Sequence, residues 1–279
     1  MSSRIVTAFA NLKGGTGKTT CTVGVAHEAA SQGKRVLVID VDGQCNASQY
    51  LTGRTKQDWF DLTIADVLDT DTPPGSRPGL TDVIVSSRRD GIDVAPAAAI
   101  GDMTAINTTL EKAKAREFVL RKALRKLDDS YELVLIDCPP AINVVTLNAH
   151  VAATAGIVLV ASPTEGAYSG VIEMIREIDE ANDPDEGLGE VLTHDIEFAG
   201  IVINDYDQRI NRHTEYLGRI ERLAESAELN VIGRPIPRLA FIPDAAVAGL
   251  GMDELGNARA SYVRDQYAAI IDIITQEDR

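Results

Sequence analysis

Short, unbroken apolar runs alternate along the chain with longer stretches whose apolar positions recur at helical spacing. Residues 4–10 read as a first strand leading into a glycine-rich turn, and residues 17–31 as a helix ended by Gly33. Residues 35–40 carry Val36-Leu37-Val38-Ile39 without polar alternation, the pattern of a parallel strand buried on both faces. A weaker segment follows, then a short helix over 63–68, a Pro/Gly-rich surface loop over 72–79, and two short strands over 81–85 and 92–95 around a turn at 88–91. Residues 105–127 predict a helix charged on one face, residues 133–136 a buried strand ending at Asp137, and residues 141–152 a further helix. The rhythm continues with a strand over 156–161, a helix over 170–181, an acidic loop over 182–189, a strand over 196–203 and a helix over 211–227. A last strand over 231–236 and a closing helix over 261–274 are expected.

This alternation over the whole length predicts the α/β class: a single doubly wound domain over 1–279, with a mostly parallel central sheet flanked by helices. In such sheets ligands bind beyond the carboxyl ends of the strands. Composition narrows the setting. No apolar run is long enough to span a bilayer, and the N-terminus lacks the length of a signal sequence, so a cytoplasmic protein is expected. Cys21, Cys45 and Cys138 are scattered without CxxC spacing, which fits a reducing compartment and argues against a metal knuckle or disulfide framework. The formal charge is −15, from 27 basic and 42 acidic side chains. Such a surface repels polyanions at long range and confines any nucleic-acid site to a local basic patch. With few lysines it points to a halophilic, high-salt cytoplasm, the alternative being an ordinary acidic protein.

The strongest chemical signal is Lys13-Gly14-Gly15-Thr16-Gly17-Lys18-Thr19-Thr20, which follows a strand and opens a helix. Its glycines let the backbone wrap phosphate oxygens, and its N–H groups form an anion nest at a helix N-terminus. Lys18 is expected on the β- and γ-phosphates, Thr19 on Mg²⁺ through its hydroxyl, and Thr20 on the α-phosphate. The general P-loop pattern has glycine five residues before Gly17; here that position is Leu12, and Lys13 is an additional lysine. That deviation resembles the ParA/MinD family of deviant Walker A P-loop ATPases. The resemblance implies an ATP-dependent homodimer in which Lys13 of each subunit reaches the partner's nucleotide.

Two strand ends supply carboxylates. Val38-Ile39-Asp40-Val41-Asp42-Gly43-Gln44 resembles the family's second motif, with Gly43 in place of a proline and Cys45 in place of a frequent glycine. By that match Asp42 orients or activates the attacking water, and Asp40 supports either the Mg²⁺ shell or the loop. Leu133-Val134-Leu135-Ile136-Asp137 is a Walker B pattern, so Asp137 is expected to hold Mg²⁺, with Pro139 and Pro140 fixing the turn beside it. Asn204 ends another apolar strand, where the family places a residue near the adenine, and Pro237 falls in the family's base-pocket segment.

The segment Tyr206-Asp207-Gln208-Arg209 resembles the ParA type more than the MinD type, and the first strand begins at Arg4, as in small, Soj-like partition ATPases. Arg209, Arg212, Arg219 and Arg222 lie at roughly helical spacing and are the candidate contacts to DNA phosphates, against a salt-bridged solvated helix as the alternative. The resemblance implies plasmid or chromosome partition through nonspecific DNA binding, nucleoid association, and a ParB-like or other basic-tailed partner that stimulates hydrolysis. A protein-cargo or organelle-positioning ATPase shares the same site. A MinD-like membrane switch needs a basic amphipathic C-terminal helix, whereas residues 270–279 are short and acidic, so no stable membrane association is expected. A metabolic ligase of the same superfamily lacks the early lysine, and an iron–sulfur carrier needs paired cysteines.

Overall fold

The strands β1 (Ile5–Ala10), β2 (Val36–Asp40), β3 (Val85–Ser86), β4 (Ile92–Ala95), β5 (Leu133–Asp137), β6 (Ile157–Ala161) and β7 (Phe198–Ile203) form one sheet in the order β3-β4-β2-β5-β1-β6-β7. The computed structural model describes residues 4–55 and 58–276. Every pairing is parallel except β3 with β4. Side chains alternate between two cores: Val134 and Ile136 pack on one face of β5, Leu133 and Leu135 on the other. Helices α1 (Lys18–Ser31), α2 (Asn46–Thr52), α10 (Phe241–Ala248) and α11 (Ala258–Ile274) cover the second face. The first is covered by α3 (Ile64–Leu68), α4 (Leu80–Val83), α5 (Ile100–Glu111), α6 (Val119–Leu124), α7 (Val144–Ala152), α8 (Glu165–Asn182) and α9 (Asn211–Ser226). From β1 the chain first moves to the β2 side and later to the β6 side, so the loop after β1 lies at the topological switch point. Among the described residues no helix is long and apolar enough to cross a membrane.

Three expected elements differ. Residues 231–236 do not form a strand: Gly233 takes φ 64°, Pro235 has no N–H to donate, and only Val231 makes an isolated bridge, to Ile201. Residues 80–83 form a helical turn, leaving a two-residue β3. The helix expected over 105–127 starts earlier and is broken. Asn148 of α7 donates to the Arg116 carbonyl (2.7 Å) and accepts the Leu120 N–H (3.1 Å), and these tertiary bonds replace helical ones across the break. Two further helices, α2 and α10, carry no strong periodic signal; α10 accommodates Pro243 at its third residue, where no N–H is required.

Two buried histidines give the fold a pH dependence. His27 accepts from Arg89 Nη1 at its Nδ1 (3.3 Å), and arginine can only donate, so the ring is neutral. Burial first, and for His27 also the Arg89 charge, pushes both His27 and His150 down to about 4. The unfolded chain binds these protons near pH 6.5 and the folded chain only near 4, so stability is fully present above 6.5 and lost as pH falls through that window. Replacing His150 by Gln removes one such group. The difference in unfolding free energy between wild type and variant is expected to shift by about 2 kcal/mol between about pH 7 and about pH 5, against the wild type. Acidic groups cancel in that difference, and a constant difference in urea titrations would contradict the assignment.

Candidate functional site

Beyond β1 the chain turns through residues 11–17 into α1, and two buried asparagines hold that turn. Asn11 donates to the carbonyls of Val160 (3.0 Å) and Ala167 (3.4 Å) and accepts the Lys13 N–H (2.8 Å), fixing the mouth of the loop to β6 and α8. Asn204, at the end of β7, donates its amide to the Thr16 carbonyl (2.8 Å). One N–H of Asn204, for which a base-edge role is expected, thus braces the phosphate loop. Gly17 sits at φ 90°, and a Cβ there would lie 2.1 Å from the Asn204 amide nitrogen. Gly17→Ala is expected to expel Asn204 from Thr16 and strain the backbone, costing about 2 kcal/mol and lowering ATP affinity at least about tenfold. Calorimetric titration with ATP checks this; unchanged affinity would show that the loop tolerates a side chain.

Lys18 opens α1, is 6% exposed, and donates from Nζ to the Lys13 carbonyl (3.4 Å), so its ammonium curls under the loop. Burial lowers its pKa, opposed by the negative charge of Asp137 and Asp42. Thr19 donates from Oγ1 to Asp137 Oδ2 (2.7 Å), and Thr22, one turn on, donates to Oδ1 (3.2 Å). Asp137 and Asp40 are register partners at the ends of β5 and β2, both fully buried. Burial and the neighbouring Asp40 charge push Asp137 well above the ordinary carboxylate range, and burial pushes Asp40 up to about 7.

Asp40, for which support of the Mg²⁺ shell or of the loop is expected, makes three hydrogen bonds that brace the loop. Oδ1 accepts the Asp42 N–H (3.1 Å), and Oδ2 accepts both the N–H (2.9 Å) and the hydroxyl (2.7 Å) of Ser48. Ser48, which the sequence patterns do not single out, also accepts the Ala97 N–H (3.0 Å). Asp42 accepts the Gln44 N–H (2.9 Å) and lines a cleft of about 360 Å³ with Gly43, Ile100, Met103, Pro139, Pro140 and Asn143. A Cβ on Gly43 would meet the Ile100 Cα at 2.6 Å, so the missing proline makes room for the start of α5.

Gly14, Gly15 and Lys13 are exposed, Thr20 is half-buried, and the methylenes of Lys13 run past Gly166 of α8. Among the described residues Lys13 makes no ion pair. Thr16 is 1% exposed, and its hydroxyl is buried without a hydrogen-bond partner. A buried hydroxyl without a partner, in a glycine-rich loop that opens a helix, fits a bound anion that would satisfy it. Among the described residues no three His, Cys, Asp or Glu side chains are grouped to hold a metal. Thr19 and Asp137 offer oxygen alone, a donor set that fits Mg²⁺ completed by phosphate oxygens and water.

Pro237 lines a second cleft, of about 540 Å³, with Tyr206, Gln208, Arg209, Arg238 and Tyr262. Tyr206 donates its N–H to Ile236 and accepts that of Arg238, which ties this wall to the end of β7. The four candidate DNA contacts do not form an uncompensated patch. Arg209 pairs with Asp207 (2.7 Å), and Arg219 pairs with Glu215 (2.7 Å) and lies over the Tyr216 ring. Arg212 and Arg222 are exposed, but α9 holds three arginines against Glu215, Glu221 and Glu225.

A phosphate loop at the switch point of a mostly parallel sheet, with a Walker B aspartate hydrogen-bonded to its threonine, defines a P-loop nucleotide-binding protein. A family model described as an AAA domain matches residues 4–187. The chromosome partitioning protein ParA of Caulobacter vibrioides is 37% identical over 208 residues, covering 73% of this chain and 70% of that one. A Mycobacterium smegmatis structure named cobyrinic acid a,c-diamide synthase, with bound ATP analogue and magnesium, is 28% identical at a TM-score of 0.71, covering 88% of this chain and 91% of that one. The ATP complex of an aspartate-to-alanine variant of Cyanothece McdA superposes at a TM-score of 0.80 over 100% of this chain and 99% of that one, at 17% identity, and shows the fold. The chain belongs to the ParA/MinD family of P-loop ATPases.

Proposed function

We propose that this chain is an ATP-dependent dimerising switch that hydrolyses ATP to ADP and phosphate and serves plasmid or chromosome partition through nonspecific DNA binding. The observation that carries it is the convergence of Lys18, Thr19, Asp137 and Asp42 around a loop whose buried Thr16 hydroxyl lacks a partner. The loop amides and Lys18 hold the triphosphate, and Thr20 adds a hydroxyl beside it. Magnesium, when bound by Thr19 and Asp137, neutralises phosphate charge. Asp42 orients the attacking water, its own position set by Asp40 and Ser48. Pro237 and its neighbours wall the base.

Lys13, solvent-exposed and outside any described ion pair, is free to reach a second copy. Ile100 and Ile142, 60% and 52% exposed beside the Asp42 cleft, supply apolar surface for that copy to cover. A basic-tailed, ParB-like activator suits the acidic surface. A DNA-bound dimer would be cytoplasmic and associated with the nucleoid. A related positioning ATPase with a protein cargo has the same machinery, and cargo is decided by the partner. The amide-synthase name of one similar structure favours a ligase as second reading; Lys13, which a ligase has no use for, opposes it.

Size-exclusion light scattering and DNA retention, run with ATP, ADP and no nucleotide, test the proposal. Dimer and retention with ATP alone are expected. A protein that stays monomeric with nonhydrolysable ATP and magnesium overturns the switch.

A further inference from the structure

The total charge of −15 hides a strongly segregated distribution. Residues 112–126 contain seven basic side chains, Lys112, Lys114, Arg116, Arg121, Lys122, Arg125 and Lys126, and a single acid, Glu117. That is more than a quarter of the chain's 27 cations within fifteen residues, so the remainder is more acidic still. Glu117 is spent on Arg116 (2.8 Å). Lys112, Lys114, Lys122, Arg125 and Lys126 form no ion pair among the described residues, and the face that carries the last three is turned outward.

Their arrangement is ordered. Leu120, Leu124 and Leu127 of α6 and its last turn are buried against the first core. At about 100° per residue, positions 122, 125 and 126 then fall on the opposite face with the half-buried Arg121 on its flank, and Arg125 is still in helical conformation. Arg121 with Arg125, and Lys122 with Lys126, are like-charge i,i+4 pairs, which destabilise a helix. Burial and the adjacent Arg125 charge hold Arg121 below its ordinary pKa range, in keeping with repulsion left unrelieved within the fold. A chain with 42 acidic side chains has placed none of them on this stripe. Arg121 reaches the acidic loop 183–197 at one point, the Thr193 hydroxyl (2.6 Å).

The segment is joined to the nucleotide machinery through two helices. The first residue of α5, Ile100, packs on Gly43 beside Asp42, and the last turn of α5 leads into Lys112. Asn148 of α7, the helix that follows Asp137 and its prolines, holds the Arg116 carbonyl and the Leu120 N–H.

We propose that the basic segment 112–126, and not the arginines of α9, is the surface that holds the phosphate backbone of duplex DNA. This rests on the DNA reading given under the proposed function. A nucleic acid is favoured over an anionic membrane because none of the six large apolar side chains exposed among the described residues lies within the segment, and surface helices on lipid need such a face. The contacts are to phosphates, without base reading.

The experiment is fluorescence anisotropy of a labelled duplex of mixed sequence with full-length protein and nonhydrolysable ATP, titrated with KCl from about 0.1 M upward. The combined variant Lys122→Ala, Arg125→Ala, Lys126→Ala is expected to bind at least about tenfold more weakly, with a salt slope smaller by about 2–3. Its melting temperature should be no lower than that of wild type, since like-charge repulsion is relieved, and its basal ATP turnover should match. The combined variant Arg212→Ala, Arg219→Ala, Arg222→Ala should stay within about twofold of wild type. Lys122→Arg with Lys126→Arg, which keeps the charge, should retain binding. Wild-type affinity in the first variant, or loss confined to the α9 variant, overturns the surface while leaving DNA binding intact. Failure of the wild type to bind duplex in any nucleotide state overturns the DNA reading itself. Loss of binding to phosphatidylglycerol vesicles, with duplex binding unchanged, assigns the stripe to a membrane and overturns the proposal.

Discussion

Lys18→Ala is expected to abolish measurable ATP binding while leaving a folded protein. The ammonium sits 6% exposed beneath the loop, with the Lys13 carbonyl as its one hydrogen-bond partner among the described residues (3.4 Å). That contact is long and replaceable, so the group is held in place but not consumed. A charge-assisted hydrogen bond to a phosphate oxygen contributes about 1.5–3 kcal/mol. Loss of contacts to two phosphates then weakens ATP by about a hundredfold to about twenty-thousandfold. Removing a cation from beside buried acids would ordinarily unfold the site. Here burial already biases Asp137 and Asp40 toward their neutral forms, and hydrogen bonds from Thr19, Thr22 and Ser48 remain. Circular dichroism should therefore match wild type, while calorimetric titration with ATP shows no binding in the micromolar range. Wild-type affinity in a folded variant would remove the phosphate loop from the argument.

The parts of this site that the sequence revealed are those written in consecutive residues. A buried run that ends in aspartate places Asp137 and Asp40 at the sheet's carboxyl edge whatever the rest of the chain does, and the glycine-threonine-lysine string bends only one way between β1 and α1. What stayed hidden is carried by single polar side chains acting over long sequence separations. Asn11, Ser48 and Asn148 reach backbone groups 149, 49 and 32 residues away, and no periodicity records such contacts. The break between α5 and α6 is one consequence: Asn148 holds it from a distance, while Arg116 caps the Glu111 carbonyl and Ala115 takes φ 51° within it. The basic stripe is another. It is visible as a face only once Leu120, Leu124 and Leu127 are known to point inward, and the total charge argues against looking for it. Asp40 shows the limit of motif reading from the other side: the motif leaves it two roles, and it does not reveal the three hydrogen bonds to its oxygens that brace the loop.

In the Asp42→Ala variant, ATP should bind as in wild type but turn over about a hundredfold to ten-thousandfold more slowly, the range lost with a positioned general base. The phosphate contacts explain the first half: Lys18, Thr19 and Asp137 are untouched, and Asp40 still holds Ser48. The second half follows from where the carboxylate lies. Asp42 is 9% exposed at the rim of the cleft it shares with Pro139 and Pro140, and one oxygen accepts the Gln44 N–H (2.9 Å). The other oxygen makes no hydrogen bond among the described residues, so in the proposed hydrolysis it is the one left to a water. Asp42→Asn separates the two oxygens. It keeps an acceptor for Gln44 and so preserves the loop, but it cannot take a proton. If both variants lose turnover alike while retaining ATP, the carboxylate handles the water. If Asn retains turnover and Ala does not, the residue only shapes the loop. With hydrolysis blocked and the γ-phosphate kept, the dimer has no exit, so light scattering should show an ATP-bound dimer that persists for hours where the wild-type dimer decays. Phosphate release at the wild-type rate from Asp42→Ala would place the reactive carboxylate elsewhere.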